Sequence, residues 1–323
     1  MHPSPLRVVT IGAGAMANSV HYPSLCSFDD VRIAAICDLD PQRLTATADK
    51  YGIEGRYSDY RAMIEKTSPD AVYAIGQPHM LYDVWLWVLE RGLNLYIEKP
   101  PGITMHQART LAEAAAAHGC VTQVGFQRRT CPIVVKLREE CLRRGPIVHA
   151  VCTFYKCNLA PFTGARDHMM DDGVHAIDTL RWMCGGRVRG VHSVTRRVLV
   201  PDINFITAFL EFDNGATGVM MNSWTSGRRT FRVEMHAPGI CAEVEHEGKG
   251  HLYADGDTAG TQYDSRQVAG SEELFVYGGF RAKHREFVDC VRAGRQPGSC
   301  FADALLTMEV AETILAQAHL AGR

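Results

Sequence analysis

A glycine-rich segment near the start of the chain has the residue types needed to bind a dinucleotide. Gly12-Ala13-Gly14-Ala15-Met16-Ala17 follows an apolar run and precedes a helical one. Glycines there let the backbone approach a pyrophosphate, and the amides of the next helix face its negative charge. A tight turn without a ligand is the alternative explanation. Asp38 lies 24 residues after Gly14, near the offset of a ribose-binding acid, so together they predict a nucleotide site.

The same acid bears on the choice of cofactor. A carboxylate at Asp38 repels the 2′-phosphate of NADP and thereby favours NAD. Arg43, on the following helix, could attract that phosphate and weaken the discrimination. The sequence therefore predicts NAD, with NADP as the alternative.

Three residues farther along have the chemistry of proton transfer and charge stabilisation. Lys99 stands between Glu98 and Pro100 at the end of an apolar run, and Asp171 precedes His175 by about one helical turn. An imidazole has an ordinary pKa of about 6.5, which suits a general base, and an ammonium group stabilises an emerging alkoxide. Taken singly, they would be a solvated lysine, a helix N-cap and a packing histidine.

Together these segments resemble the family of glucose-fructose oxidoreductase, inositol dehydrogenase and rhizopine catabolism proteins (Gfo/Idh/MocA). The resemblance rests on the nucleotide loop, on Glu98-Lys99-Pro100 and on Asp171-Asp172-Gly173-Val174-His175-Ala176-Ile177-Asp178. Gly125-Phe126-Gln127-Arg128-Arg129 is similar to the segment where the family's chain leaves the nucleotide domain. The resemblance covers most of the chain and fades after about residue 240.

The resemblance implies an NAD(P)-dependent oxidoreductase acting on CH-OH groups. A hydride would pass between nicotinamide and a ring hydroxyl or ketone of a sugar, amino sugar or cyclitol. His175 would be the acid/base, Lys99 would polarise the substrate oxygen, and Asp171 would assist His175. In relatives the Lys-Pro bond of this motif is often cis.

Further contacts are expected beyond these residues. Many relatives carry a histidine where this chain has Leu81, which leaves open how that loop contacts the nicotinamide ribose. Arg129 could hold an anionic substrate group or form a salt bridge. The cofactor candidates outside the loop are Asp38, Arg43, Gly76, Gln77, Glu98, Lys99 and Gln127. The substrate candidates are Lys99, Arg129, Tyr155, Asn158, Arg166, His168, Asp171 and His175.

Three other functions compete with this interpretation. His168, Asp171 and His175 have spacings that could place metal ligands on one helix face, as in a metal-dependent hydrolase. That function leaves the nucleotide loop and Lys99 unexplained, so no metal is expected. A redox-neutral, NAD-dependent glycoside-cleaving enzyme and a non-catalytic dinucleotide sensor also stay open, and net accumulation of NADH would separate them from a dehydrogenase.

The elements that must position these residues fall into two predicted domains. Residues 1–125 alternate β-branched runs with helical stretches, which predicts an α/β Rossmann domain with a parallel sheet. Residues 126–323 are rich in strand patterns after Gly185 and predict an antiparallel sheet. The resemblance implies that they form an α+β domain with an open, mostly antiparallel sheet for substrate binding and oligomerisation. Asp213-Asn214-Gly215 predicts a hairpin turn within that sheet. The predicted strands of the first domain are 6–11, 31–37, 71–75, 93–97 and 120–125.

Local signals set several boundaries. Asp40 and Gly52 are predicted to cap one helix, and Thr104 with Gln107 to form a capping box. Residues 245–272 are predicted to be a long hairpin or surface excursion. Predicted later elements are a strand over 147–155 and helices near 132–143, 170–183, 279–293 and 301–319. By the resemblance, the last helix packs back near the first domain and the outer sheet face joins a homodimer or homotetramer.

Composition limits the classes of partner. The 323 residues are 46% hydrophobic and 22% charged, with a formal net charge of −2 and no basic stripe, so no nucleic acid is expected. No apolar run reaches the roughly 18 residues of a membrane span, and no leader-like segment is recognised at the start. Eleven scattered cysteines without a Cys-x-x-Cys spacing fit a reduced, cytoplasmic protein. A small sugar or cyclitol is the expected partner.

Overall fold

The computed structural model describes residues 4–321 and divides into two compact units. The first contains residues 4–126 together with Leu274–Val276 and Phe280–Leu305. The second contains Gln127–Glu273, Tyr277–Gly279 and residues 306–321.

The first unit is built on a six-stranded parallel sheet with the strand order β3-β2-β1-β4-β5-β6. The order reverses between β1 and β4, where open α/β sheets bind ligands at the carboxyl ends of their strands. This confirms the predicted Rossmann-type sheet. The strands are β1 Leu6–Ile11, β2 Val31–Cys37, β3 Gly55–Tyr57, β4 Ala71–Ala74, β5 Asn94–Ile97 and β6 Thr122–Val124.

Helix caps in this unit follow the local sequence. Asp40 accepts a hydrogen bond from Gln42 N at 2.9 Å, and Gly52 ends the helix with φ +65°. Thr104 Oγ1 accepts from Gln107 N, while the Gln107 side chain accepts from Ile103 N instead of completing the predicted capping box. The helices are Ala17–His21, which is a π-helix, and Tyr22–Cys26, Pro41–Tyr51, Tyr60–Thr67, Pro78–Leu89, Met105–Ala117 and Phe280–Ala293.

The helix Phe280–Ala293, assigned from sequence to the second domain, belongs to the first unit. Its buried residues Phe287, Val288 and Cys290 share one core with Tyr73 of β4. Apolar burial against the parallel sheet explains the placement.

The second unit contains an eight-stranded sheet with the order β14-β13-β12-β11-β7-β10-β9-β8. Only β7 and β10 pair in parallel among these strands, so the predicted mostly antiparallel sheet is confirmed. The predicted turn joins β9 to β10, with Gly215 at φ +84°. The strands are β7 His149–Cys157, β8 Val188–Arg196, β9 Phe205–Phe212, β10 Thr217–Ser223, β11 Thr225–Ala237, β12 Ile240–Glu245, β13 Lys249–Ala254 and β14 Thr261–Asp264.

One face of this sheet is covered by the helix Val174–Cys184. Leu180 lies 3.5 Å from the position a Cβ on Gly218 of β10 would take. On the other face, Val151 and Val219 are half-buried and Phe209 is 38% exposed. The remaining helices are the 3-10 turn Gln127–Thr130, Pro132–Arg144, the π-helix Met169–Gly173, Ser265–Ala269, Leu274–Tyr277 and Phe301–Ala321.

The last helix begins in the first unit, where Phe301 N donates to Thr122 Oγ1 at 3.2 Å. From Leu306 onward it belongs to the second unit. All eleven cysteines are unpaired. Within residues 4–321, no helix is both long and apolar enough to cross a bilayer.

Candidate functional site

The glycine-rich loop follows β1 directly and is held by Asp38. Gly12 has φ +105°, and a Cβ there would lie 2.1 Å from the carbonyl oxygen of Ile75, so only glycine fits. Asp38 Oδ2 accepts from Ala13 N at 2.7 Å, and its Oδ1 accepts from Asp40 N at 2.8 Å. The carboxylate therefore ties the loop to the end of β2.

A cavity of about 580 Å³ opens beside this loop. A Cβ on Gly14 would meet no atom within 4 Å, so the backbone there is open to a ligand. Arg43 and Lys50 add two positive charges to the cavity wall, while Met16 is 44% exposed. An open glycine backbone beside cationic side chains and Asp38 fits a dinucleotide with its pyrophosphate. The lining residues are Ala13, Gly14, Ala15, Asn18, Arg43, Ala46, Thr47 and Lys50.

Gly76 and Gln77 connect β4 to the helix Pro78–Leu89. Gln77 is the N-cap residue of that helix. The side chain of Leu81 approaches to 2.7 Å from the position a Cβ on Gly76 would take. The apolar Leu81 side chain thus packs against the loop where a histidine was expected from the family resemblance.

The end of β5 carries Glu98 and Lys99. Glu98 is 9% exposed, and its Oε1 lies 2.9 Å from His21 Nε2. A Cβ on Gly125 would lie 2.7 Å from the same oxygen, so the glycine leaves room for the carboxylate. Lys99 is half-buried, its backbone N donates to Glu98 Oε2 at 3.4 Å, and the Lys99-Pro100 peptide bond is cis. The sheet thus places an ammonium group at its ligand-binding edge.

In the second unit, His175 lies in the first turn of the helix Val174–Cys184 and is 5% exposed. The π-helix before it uses wider turns than an α-helix, and such turns often occur at functional sites. Asp167 Oδ1 accepts from Met170 N at 2.8 Å and caps this turn. Asp171, considered as an N-cap from sequence, lies inside the turn instead and is half-buried.

Two family profiles match the chain. The profile described as an oxidoreductase family with an NAD-binding Rossmann fold matches residues 6–126, and the C-terminal domain profile of the same family matches residues 145–238. The chain belongs to the Gfo/Idh/MocA oxidoreductase family. Its first unit is therefore an NAD-binding Rossmann domain.

Known proteins similar to this family member include two named dehydrogenases. D-glucoside 3-dehydrogenase of Escherichia coli (strain K12) is 31% identical over 195 residues, which are 57% of this chain and 56% of that protein. The chain thus matches little more than half the length of that relative. The scyllo-inositol 2-dehydrogenase (NAD(+)) of Bacillus subtilis (strain 168) is 22% identical over 324 residues, covering 94% of this chain and 92% of that protein.

A solved structure has the same fold. The crystal structure of a dehydrogenase from Chromobacterium violaceum superposes with a TM-score of 0.89 at 23% identity, covering 99% of this chain and 97% of that one. The architecture described above is therefore that of Gfo/Idh/MocA structures.

Arg129 of this family member forms a buried ion pair. Its Nε donates to Asp178 Oδ2 at 2.7 Å, and the two side chains are 7% and 1% exposed. Thr307 Oγ1 lies 3.4 Å from Asp178 Oδ1 and accepts from Arg181 at 2.8 Å. Of the two roles left open for Arg129 by the sequence, the structure favours the salt bridge.

Three substrate candidates have contacts that do not involve the His175 helix. Tyr155 pairs with Ser223 on the sheet face opposite that helix, and its hydroxyl lies 3.1 Å from the sulfur of Met221. Arg166 donates to Glu312 at 2.6 Å. The side-chain oxygen of Asn158 accepts from the backbone N of residue 160 in an exposed turn. Strand alternation and local pairing explain these placements.

His168 is 2% exposed and stacks on Trp224, with a ring-centroid distance of 4.3 Å. Burial lowers the pKa of His168, so its imidazole is neutral at pH 7. Within the described part of the chain, no three His, Cys, Asp or Glu side chains are grouped to hold a metal. His168, Asp171 and His175 are therefore not such a group.

Sequence reasoning missed two polar groups beside this family's second motif. Lys156 forms an ion pair with Asp172. Asn222 is fully buried, and neither polar atom of its amide has a hydrogen-bond partner among residues 4–321. Two-residue alternation from the buried Phe154 could have placed Lys156 on the covered face, where a lysine needs an anionic partner.

Proposed function

We propose that this chain is an NAD-linked dehydrogenase that reversibly oxidises a ring hydroxyl of a sugar, amino sugar or cyclitol. The observation that carries the proposal is the NAD-binding sheet with Lys99 at the carboxyl end of β5, beside the buried Glu98. The names of the two dehydrogenases support the substrate class, since one acts on a glucoside and the other on an inositol.

His175, Lys99 and Asp171 share the chemistry in this proposal. Bound NAD would supply the acceptor for the carbon-bound hydrogen of the substrate, which leaves as a hydride. His175 takes the hydroxyl proton as general base, and Lys99 donates a hydrogen bond to the oxygen as negative charge develops. Asp171 positions the imidazole. The hydride and the proton both leave the alcohol, so the products are a ketone and NADH.

NAD is the proposed preference over NADP. Two of the lone pairs of Asp38 are used by Ala13 N and Asp40 N, and the remaining ones can accept from ribose hydroxyls. A 2′-phosphate would meet this carboxylate and be repelled. Arg43 Nε lies 3.1 Å from Asp40 Oδ2, and this ion pair partly neutralises the charge of Arg43.

The replacement Lys99→Met tests the catalytic role. We expect NADH binding within about twofold of the wild type and a kcat at least about 100-fold lower, because the charge acts on the reacting oxygen. Lys50→Met is the matched control, since Lys50 lines the dinucleotide cavity and is exposed. It should weaken NADH binding and keep kcat at saturating cofactor. Wild-type turnover by Lys99→Met would contradict the proposal.

A further inference from the structure

Arg128, in the second unit, has a buried guanidinium group that forms no hydrogen bond or ion pair with the described residues. The residue is 5% exposed, its Nε is shielded from solvent, and no hydrogen bond or ion pair joins its side chain to residues 4–321. Its guanidinium carbon lies 3.7 Å from the ring centre of Phe231. Burial, with a smaller effect of Arg229, lowers the pKa of Arg128 to about 10, so it still carries its charge at neutral pH.

The neighbouring cations differ from Arg128 because each has a carboxylate. Lys156 pairs with Asp172, and Arg229 Nη1 lies 2.9 Å from Glu247 Oε1. Arg128 therefore carries the excess positive charge of this group. A buried charge without a counter-charge is strongly unfavourable in folded proteins.

The position of Arg128 connects it to the second motif. The ring centre of Phe154 on β7 is 5.2 Å from the guanidinium carbon of Arg128 and 5.1 Å from Lys156 Nζ. Lys156 in turn contacts Asp172, which directly follows Asp171 in the chain. The unpaired cation thus lies at the same end of β7 as the motif that supplies the proposed acid–base residues.

We propose that Arg128 binds an anionic group of the substrate, either a carboxylate or a phosphate. The substrate is then an acidic derivative of a sugar or cyclitol, an inference that rests on the function proposed above. A guanidinium fork matches the oxygens of both groups, and stacking on Phe231 fixes its plane. Burial strengthens such a charge-assisted contact.

Titration calorimetry with the NADH-bound wild-type protein compares the affinity for each acidic ligand with the affinity for its neutral parent. The pairs are glucuronate and glucose, galacturonate and galactose, glucose 6-phosphate and glucose, and inositol 1-phosphate and inositol. We expect at least one acid to bind about tenfold or more tightly than its parent, and the uronate and phosphate arms identify the anion. If no acid reaches that ratio, the proposal is wrong.

Three variants assign the effect to Arg128. Arg128→Met should lower the affinity for the acid to that for its neutral parent. Arg128→Lys keeps the charge but loses the guanidinium fork, so its affinity for the acid should lie between those of the wild type and Arg128→Met. Arg228→Met is the control, because Arg228 is 68% exposed on the same strand as Phe231 and the change in net charge is equal. Equal losses in Arg128→Met and Arg228→Met would overturn the proposal. If Arg128→Met does not fold, Arg128→Lys supplies the same comparison.

Binding and turnover separate this inference from the proposed function. Arg128-dependent binding of an acid without oxidation of any sugar or cyclitol would support the anion site and contradict the dehydrogenase. Oxidation of neutral polyols with the same kcat/KM in Arg128→Met as in the wild type would support the dehydrogenase and contradict the anion site.

Discussion

The carboxylate of Asp38 serves both the protein and the proposed ribose. Its two hydrogen bonds to backbone amides fix the loop after β1, and a carboxylate still offers further lone pairs to a ligand. Gly12 and Gly14 are needed in the loop for different reasons. The first has a backbone that only glycine adopts easily, whereas the second has open space around it.

Replacing each glycine by alanine should therefore give different phenotypes. Gly12→Ala should lower the free energy of unfolding by at least about 2 kcal/mol, because its φ is positive and its Cβ would overlap the Ile75 carbonyl. Gly14→Ala should unfold like the wild type yet bind NADH about tenfold or more weakly, because its methyl group takes the space of the pyrophosphate. Thermal unfolding and NADH fluorescence titration measure the two effects. Identical behaviour of both variants would contradict this division.

At the scale of elements, the helix Phe280–Ala293 is joined to the first unit by a buried charge as well as by apolar packing. Lys283 is 1% exposed, and its Nζ lies 2.8 Å from Glu286 Oε2. Glu286 also accepts from Gln123 Nε2 at 2.8 Å and from Gly298 N at 2.9 Å. Burial alone would raise the pKa of Glu286, but Lys283 and these hydrogen bonds outweigh it and lower the pKa.

The replacement Glu286→Gln should destabilise the first unit by about 3 kcal/mol at neutral pH, because it removes the carboxylate paired with the buried Lys283 ammonium. A lowered folded-state pKa stabilises the protein above the ordinary value, and that contribution is lost as pH falls through the folded-state pKa. The difference from the wild type should thus be constant near neutral pH and shrink as pH falls below the ordinary pKa of a glutamate, as measured by urea unfolding.

The control for this prediction is Glu140→Gln. Glu140 pairs with Arg143 at the same i,i+3 spacing, but Arg143 is 65% exposed. We expect no measurable loss of stability, because solvent screens an exposed pair. Equal losses in the two variants would show that the burial of Lys283 contributes nothing.

Local signals in the sequence account for the elements that were predicted correctly. Asp40 and Gly52 cap a helix through contacts within a few residues. The edge strand β3 was not predicted, because three residues give no measurable periodicity. The helix Phe280–Ala293 was assigned to the second domain although it lies in the first unit, because an apolar helix face does not specify which sheet covers it.

The site was predictable where chemistry is carried by short motifs. The loop after β1 and Glu98-Lys99-Pro100 lie together in one unit at the ends of parallel strands, as a Rossmann order requires. Tyr155 and Lys156 show what the sequence could not predict. Adjacent strand residues face opposite sides of a sheet, so only one of the two can lie on the side of the motif helix. The sequence did not identify which side the motif helix covers, and it therefore favoured Tyr155 over Lys156.

At the scale of the whole molecule, the uncovered face of the second sheet bears on assembly. Phe209, Val219 and Val151 lie in one cross-strand row on that face. Apolar rows of this kind are common at interfaces between identical subunits. We expect a homodimer or homotetramer that uses this face.

Phe209→Asp should shift the chain toward the monomer, because it places a charge in the middle of the row. Leu320→Asp is the control, since Leu320 is 68% exposed at the end of the last helix. Light scattering coupled to size-exclusion chromatography measures both variants. A monomeric wild type, or equal dissociation of both variants, would contradict the expected interface.

The absorbance of NADH at about 340 nm tests the central claim most directly. Purified protein with NAD or NADP is mixed with sugars, inositols and their uronate and phosphate derivatives. The proposal predicts a rise in absorbance with at least one of them, larger with NAD than with NADP. Confirmed NADH binding without any rise, together with aglycone release from glycosides, would contradict it and favour the redox-neutral reaction.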